Sequence, residues 1–194
     1  MIIRIQQGHL ETKFGTFLEV LYYDGQKESV ALVMGDVAGA ENVFCRVHSS
    51  CLSAHVFNST ECDCREQMEM AQFLIEKEGK GIVIWLDQEG RSNGHLALLS
   101  TAKLREQGLT PTESYLKLGF KEDARDFRCA AEILQELEVK SIILLTNSPL
   151  KLNSLKNSGI NIAGTKSLTI DTNGNPQLEK VYRDKIMRGH LINL

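Results

Sequence analysis

The run Gly81-Ile82-Val83-Ile84-Trp85-Leu86 is almost entirely apolar, which restricts the folds open to this chain. A strand with one wet face alternates apolar with polar residues, whereas a run like this must be covered on both faces, the usual state of a parallel strand under helices. Helices are available to cover it. Residues 65–77 carry Met68, Ala71, Phe73, Leu74 and Ile75 as an apolar side and stop at Gly79. Residues 96–107 read as a helix ended by Gly108, and 126–137 repeat the amphipathic pattern. Residues 141–145 form a second buried strand, and Pro149 opens a further helix that ends near Gly159. A third strand is expected at 160–162. A polar loop over 171–175 then leads into a charged helix at 178–187.

The first third has a different texture. Residues 1–6 alternate like a strand, and 16–23 and 28–34 are β-rich runs joined through Asp24-Gly25, a strong hairpin signal. Residues 44–48 form another short strand that runs into the loop at Cys51. The expected fold is therefore α/β: a mixed sheet with an N-terminal β-rich hairpin section and C-terminal alternating strands and helices. With no repeat, low-complexity tract or long linker, residues 1–194 are read as a single domain.

The net charge of −3 gives no support to a nucleic-acid binder, and no apolar run approaches a membrane span. The first residues lack a secretory profile, so a cytoplasmic location is the expectation. Five cysteines, an odd number, argue against a disulfide framework. Four of them lie within twenty residues.

Cys51, Cys62 and Cys64 follow the spacing Cys, ten residues, Cys, one residue, Cys. Zinc takes thiolate and imidazole ligands tetrahedrally, and a catalytic zinc keeps one position open, which three cysteines would leave. A strand would place Cys62 and Cys64, two residues apart, on one face. The start of the helix at 65 is the favoured setting, since its free amides favour thiolates. By residue type alone, the three are equally readable as small buried hydrophobes, the favoured reading for Cys45 and Cys129. His48 and His55 flank the cluster and are readable as ligands or as structural histidines.

Arg46-Val47-His48-Ser49-Ser50-Cys51, with Cys62-Asp63-Cys64 and Gln67, resembles the signature of GTP cyclohydrolase II. The resemblance continues through Gln88-Glu89-Gly90-Arg91, Leu118-Gly119-Phe120, Asp123-Ala124-Arg125-Asp126-Phe127 and Leu145-Thr146-Asn147, with Pro149 and Lys151. It ends with 159–162, Lys185 and Gly189-His190-Leu191. So many ordered pieces over most of the chain do not agree by chance.

The resemblance implies that the chain opens the imidazole ring of GTP, with release of C8 as formate and loss of pyrophosphate. It implies that Cys51, Cys62 and Cys64 hold a catalytic Zn2+, that Mg2+ accompanies the phosphates, and that the protein is a homodimer. Asp123 matches the family's general base and Arg125 its nucleophile toward the α-phosphate. A protonated guanidinium has no free lone pair, so electrostatic stabilisation is the more ordinary role for Arg125. Asp123 and Asp126 can also be read as helix caps. Nucleotide contacts are implied for Arg46, Val47, His48, Ser49, Ser50, Gln67, Glu89, Gly90, Arg91, Thr146 and Lys151. Of these, Arg91 and Lys151 suit phosphates and Glu89 suits purine N–H groups, although Gln88-Glu89-Gly90-Arg91 alone reads as a solvated turn.

Several positions depart from the family pattern. Ser50 stands in place of a glutamate, Ala54-His55 of Gly-Asp, Glu61 of an arginine and Leu86-Asp87 of His-Arg. Residues 92–95 replace Asn-Ile-Gly-Leu. Leu98 and Ser100 occupy basic positions, and Pro111 replaces a nucleotide-holding threonine. Ala102 occupies the place of a tyrosine whose absence, in the family, goes with retention of the formyl group, so a formylamino-pyrimidine product is expected. The lost cations leave two further readings: a relative acting on another purine nucleotide or base, and a catalytically silent nucleotide-binding regulator.

Overall fold

The computed structural model describes residues 1–172, 174–190 and 192. Seven strands form one sheet: β1 (Ile3–Thr12), β2 (Gly15–Tyr23), β3 (Glu28–Met34), β4 (Val43–Ser49), β5 (Gly81–Leu86), β6 (Ile142–Leu145) and β7 (Ile162–Lys166), in the order β1-β2-β3-β5-β4-β6-β7. The first three strands make an antiparallel meander that joins β5 antiparallel, with Val33 opposite Ile82. On its other side β5 pairs parallel with β4, and β4, β6 and β7 continue in parallel. The sheet is therefore mixed, and β5 is the strand where the two pairing modes meet.

Eight helices accompany the sheet among the described residues: α1 (Leu52–His55), α2 (Cys64–Glu78), α3 (His95–Ser100), α4 (Ala102–Glu106), α5 (Pro111–Lys117), α6 (Arg128–Glu136), α7 (Pro149–Asn157) and α8 (Pro176–Met187). Alternation along β5 explains why both faces are dry. Ile82 and Ile84 pack with Phe127, Ala130, Ile133 and Leu134 around α6. Val83 points the other way, to Ala71 and Ile75 of α2. Gly81 is required for that second contact: a Cβ there would lie 2.6 Å from Ile75 Cγ1 and 2.9 Å from the Phe44 carbonyl oxygen.

Four local expectations shift. The helix expected over 96–107 is interrupted at Thr101, whose amide and hydroxyl both donate to the Leu98 carbonyl (3.1 and 2.6 Å), a three-residue rather than four-residue step. Helix α6 starts at Arg128 with Phe127, not Asp126, at the N-cap position, while the Asp126 side chain one residue earlier accepts from the Arg128 amide at 2.9 Å. The strand expected at 160–162 begins at Ile162, while Ile160 packs against the core. Phe73 is 40% exposed, with the Lys77 ammonium 4.4 Å from its ring centroid, so it does not belong to the buried side of α2. Helix α5 escaped the periodicity argument, yet its start is written in Thr110-Pro111-Thr112-Glu113. Thr110 and Glu113 form a capping box with proline in the first turn. Asn173, in the polar loop, and Leu191, the last position of the resemblance, lie outside the described residues.

Candidate active site

The carboxyl ends of β4, β5 and β6 open onto one cavity of about 610 Å3, the position where α/β sheets collect ligands. β4 delivers Arg46, His48 and Ser49, with Ser50 and Cys51 just beyond its end. The segment after β5 delivers Gln88, Glu89, Gly90 and Arg91, and Thr146 and Lys151 follow β6.

The Cys51, Cys62 and Cys64 sulfurs lie within 4.8 Å of one another, and Cys51 and Cys62 are 3.7 Å apart. The backbone bends between Cys62 and Cys64 because Asp63 is the N-cap residue of α2 and Cys64 its first residue. The Cys62 thiol is raised by its hydrogen bond with Cys51, lowered by one with Cys64 and raised again by burial, reaching about 12. Thiols this crowded do not ionise together without a cation. The donor set of three soft ligands converging at a cavity edge fits a thiophilic metal ion with an open position. Nearby, His48 Nδ1 faces the Arg46 guanidinium at 3.4 Å, which assigns the ring proton to Nε2. His48 Nε2 and His55 Nε2 are both buried without a partner among the described residues, and the two rings meet edge-on at 5.0 Å.

Beside the thiols lies a cationic wall. Arg46 is buried and donates to the Leu145 carbonyl at 3.0 Å and to Gln67 Oε1 at 2.6 Å. Lys151 donates to the Val47 carbonyl at 2.8 Å. Burial, then Arg46 and Arg125, push the Lys151 ammonium well below its ordinary value, and burial with the same cations holds His48 neutral. Such mutual repulsion is relieved by an anion.

Asp63 is 2% exposed and accepts from Lys185 Nζ (2.7 Å), Tyr182 Oη (2.8 Å) and Gln67 Nε2 (2.6 Å). It thus locks the cysteine turn to α8. Asp123 accepts from Arg125 at 2.8 and 2.6 Å and from Arg188 at 2.9 Å. Burial alone would raise its carboxyl, but the Arg125 hydrogen bonds and charge, joined by Arg188, hold it well below the usual carboxylate range.

Most of the site residues expected from sequence line this cavity: Arg46, His48, Ser49, Ser50, Cys51, Cys62, Cys64, Gln67, Glu89, Gly90, Arg91, Arg125, Thr146 and Lys151. Val47 is 1% exposed in the core and offers only its carbonyl, to Lys151. Asp123 stands behind Arg125 rather than on the wall. Arg91 lines the cavity while its guanidinium is engaged by Asp184 (2.9 Å), Thr112 (3.0 Å) and the Glu122 carbonyl (3.3 Å). Sequence reasoning missed Arg188, Asp63 and Tyr115, all of which line the cavity. The Cys-Asp-Cys turn was a signal for Asp63; nothing local distinguishes the other two.

A mixed α/β sheet whose parallel strands end at a polycationic pocket edged by three converging thiols defines a class: an α/β protein with a candidate three-cysteine metal site beside a cationic cavity. A family model for GTP cyclohydrolase II matches residues 3–167. "GTP cyclohydrolase-2" of Proteus mirabilis is 39% identical over 192 residues, covering 97% of this chain and 96% of that protein. "Riboflavin biosynthesis protein RibBA" of Bacillus cytotoxicus is 42% identical over 189 residues, covering 95% of this chain and 47% of that protein. The chain thus spans about half the length of the RibBA proteins it matches. Among solved structures, RibBX, a two domain 3,4-dihydroxy-2-butanone 4-phosphate synthase from A. baumannii, aligns with a TM-score of 0.47 at 22% identity, covering 88% of this chain and 40% of that one. The chain belongs to the GTP cyclohydrolase II family.

Proposed function

We propose that this protein hydrolytically opens the imidazole ring of a purine nucleotide, GTP foremost, and releases pyrophosphate. The observation that carries the reading is the convergence of Cys51, Cys62 and Cys64 at the edge of a cavity walled by Arg46, Arg125, Lys151, Lys185 and Arg188. Family membership and relatives named GTP cyclohydrolase-2 support GTP as the substrate.

The three cysteines would hold zinc, which supplies Lewis acidity for activating water near neutral pH. The protein's own residues do the rest. Lys151 and Arg46, buried and mutually repelled, receive phosphate oxygens, and Mg2+ accompanies the polyphosphate. Arg125, oriented by Asp123, stabilises charge that develops on the transferring phosphoryl group. In this arrangement Asp123 acts first as an orienting anion, because two guanidiniums disfavour its protonation. Thr146 and Ser148 offer hydroxyls at the end of β6.

Ala102 lines the cavity as the first residue of α4 and brings no hydroxyl to it. The product is then a formylamino-pyrimidine nucleotide rather than a diaminopyrimidine one. A second reading, action on another purine nucleotide or base, draws on Leu98, Ala102 and Pro111, which bring no charge to one side of the cavity, and on Glu61, which pairs with the Arg105 guanidinium there at 2.9 Å. The working unit in this proposal is a cytoplasmic homodimer that engages neither nucleic acid nor membrane. Among the described residues no helix is long and apolar enough to cross a bilayer.

The test combines metal analysis with product identification. About one zinc per chain and a ring-opened product from GTP, identified by mass, are expected. Carefully prepared protein that holds no zinc and leaves every purine nucleotide intact points instead to a silent binder.

A further inference from the structure

The two sides of the cavity differ in chemistry. One presents the cations already described; the other, built by α3, α4 and the start of α5, presents Leu98, Leu99, Ala102 and Pro111, with Arg105 of α4 tied to Glu61 at 2.9 Å. A nucleotide sorts itself across such a division, with phosphates toward the charges and the base against the apolar wall.

Tyr115 stands within that apolar wall. It is 2% exposed yet reaches the cavity, and it is the one tyrosine among the described residues to do so. Its ring is held edge-on to Phe120, with centroids 6.4 Å apart, and lies beneath the Arg91 guanidinium, 5.7 Å from the ring centroid. Its hydroxyl makes no hydrogen bond to any described residue. Arg91 does not take it, because that guanidinium is turned to Asp184, Thr112 and Glu122. The hydroxyl instead sits over the tight loop Glu89–Ser92, where Gly90, Arg91 and Ser92 all have positive φ (58°, 56° and 64°). A Cβ on Gly90 would lie 3.3 Å from the Tyr115 oxygen and 3.4 Å from Leu98 Cβ. Glycine thus keeps the space in front of the phenol clear.

A buried tyrosine ordinarily finds a partner for its hydroxyl, and phenylalanine would fill the same ring space without that requirement. Burial also raises the phenol above its ordinary pKa, so it stays neutral and able both to donate and to accept.

We infer that Tyr115 is a base-recognising residue whose hydroxyl hydrogen-bonds a polar edge atom of the purine in the bound nucleotide. The inference rests on the purine-nucleotide reading above.

Wild type and Tyr115→Phe are titrated calorimetrically with GTP and, separately, with inorganic pyrophosphate, and their thermal midpoints are compared. The variant should bind GTP roughly 3- to 10-fold more weakly, the worth of one neutral hydrogen bond. Pyrophosphate affinity and thermal midpoint should not change, because the hydroxyl has no partner in the protein to lose. Equal GTP affinity in the two proteins overturns the role of Tyr115 and leaves the functional reading standing. A matching loss for pyrophosphate also overturns it, since the hydroxyl would then serve the phosphate side. A wild-type protein that binds pyrophosphate but no GTP overturns both.

Discussion

Asp184 offers a direct measure of how the C-terminal helix holds the cavity together. It is 1% exposed on α8 and accepts from Arg91 at 2.9 Å, from the Thr112 hydroxyl at 3.1 Å and from the Thr112 amide at 3.3 Å. Asp184→Ala leaves the Arg91 guanidinium, 17% exposed, without its anion. Removing one partner of a buried ion pair costs about 3–5 kcal/mol. Arg91 keeps some access to water and its bonds to Thr112 and Glu122, which places the cost near the lower bound, about 3 kcal/mol. In a chain of this size 1 kcal/mol corresponds to roughly 2–4 °C, so the thermal midpoint should fall by roughly 6–12 °C near neutral pH.

Acidity provides a second check on the same residue. Burial alone would raise the Asp184 carboxyl, but the Arg91 charge and hydrogen bond, with those of Thr112, hold it below its ordinary value. A carboxyl lowered on folding stabilises fully above its unfolded pKa of about 3.9 and loses that contribution as pH falls through the folded value. The gap between wild type and Asp184→Asn should therefore stay flat from about pH 5 to about pH 8 and close below about pH 4. Urea or thermal unfolding across that range measures it. An Asp184→Ala midpoint within about 2 °C of wild type, or a gap that widens on acidification, refutes the reasoning.

Three further outcomes are expected. Cys64→Ser should reduce zinc from about one per chain to a small fraction in metal analysis, because two thiolates and a weaker hydroxyl make a poor zinc site; full retention of zinc excludes a three-cysteine site. Incubation with GTP should give a ring-opened product that keeps its formyl group, followed by mass and by a formate assay; stoichiometric formate removes the role assigned to Ala102. Gly81→Ala should destabilise by about 1–3 kcal/mol in urea unfolding, since its methyl group would meet both Ile75 and the Phe44 carbonyl; an unchanged midpoint shows that α2 moves aside freely.

Much of the fold was legible because its signals are local. The all-apolar run at 81–86 became β5 with the same bounds, and the β-rich runs became β2 and β3 within a residue. The helix over 96–107 misled because its period is helical throughout, whereas the Thr101 hydroxyl competes for the Leu98 carbonyl and breaks the ladder. The strand at 160–162 misled because apolar residues mark burial without telling a strand from the chain that enters it. The cysteine cluster was legible as a spacing. That the three sulfurs meet depended on the turn at Asp63.

Spacing along the chain settled which segments are strands, which helices turn an apolar face inward and which residue types gather near Cys51, because periods of two and of three to four residues are fixed by backbone geometry alone. The folded arrangement alone decided that Asp63 meets Tyr182 and Lys185, 119 and 122 residues away, that Arg91 is tied to Asp184, and that Tyr115 reaches the cavity. Such pairings have no period. They follow from how whole elements pack around the shared core, a sum over many contacts that no short stretch of residues contains.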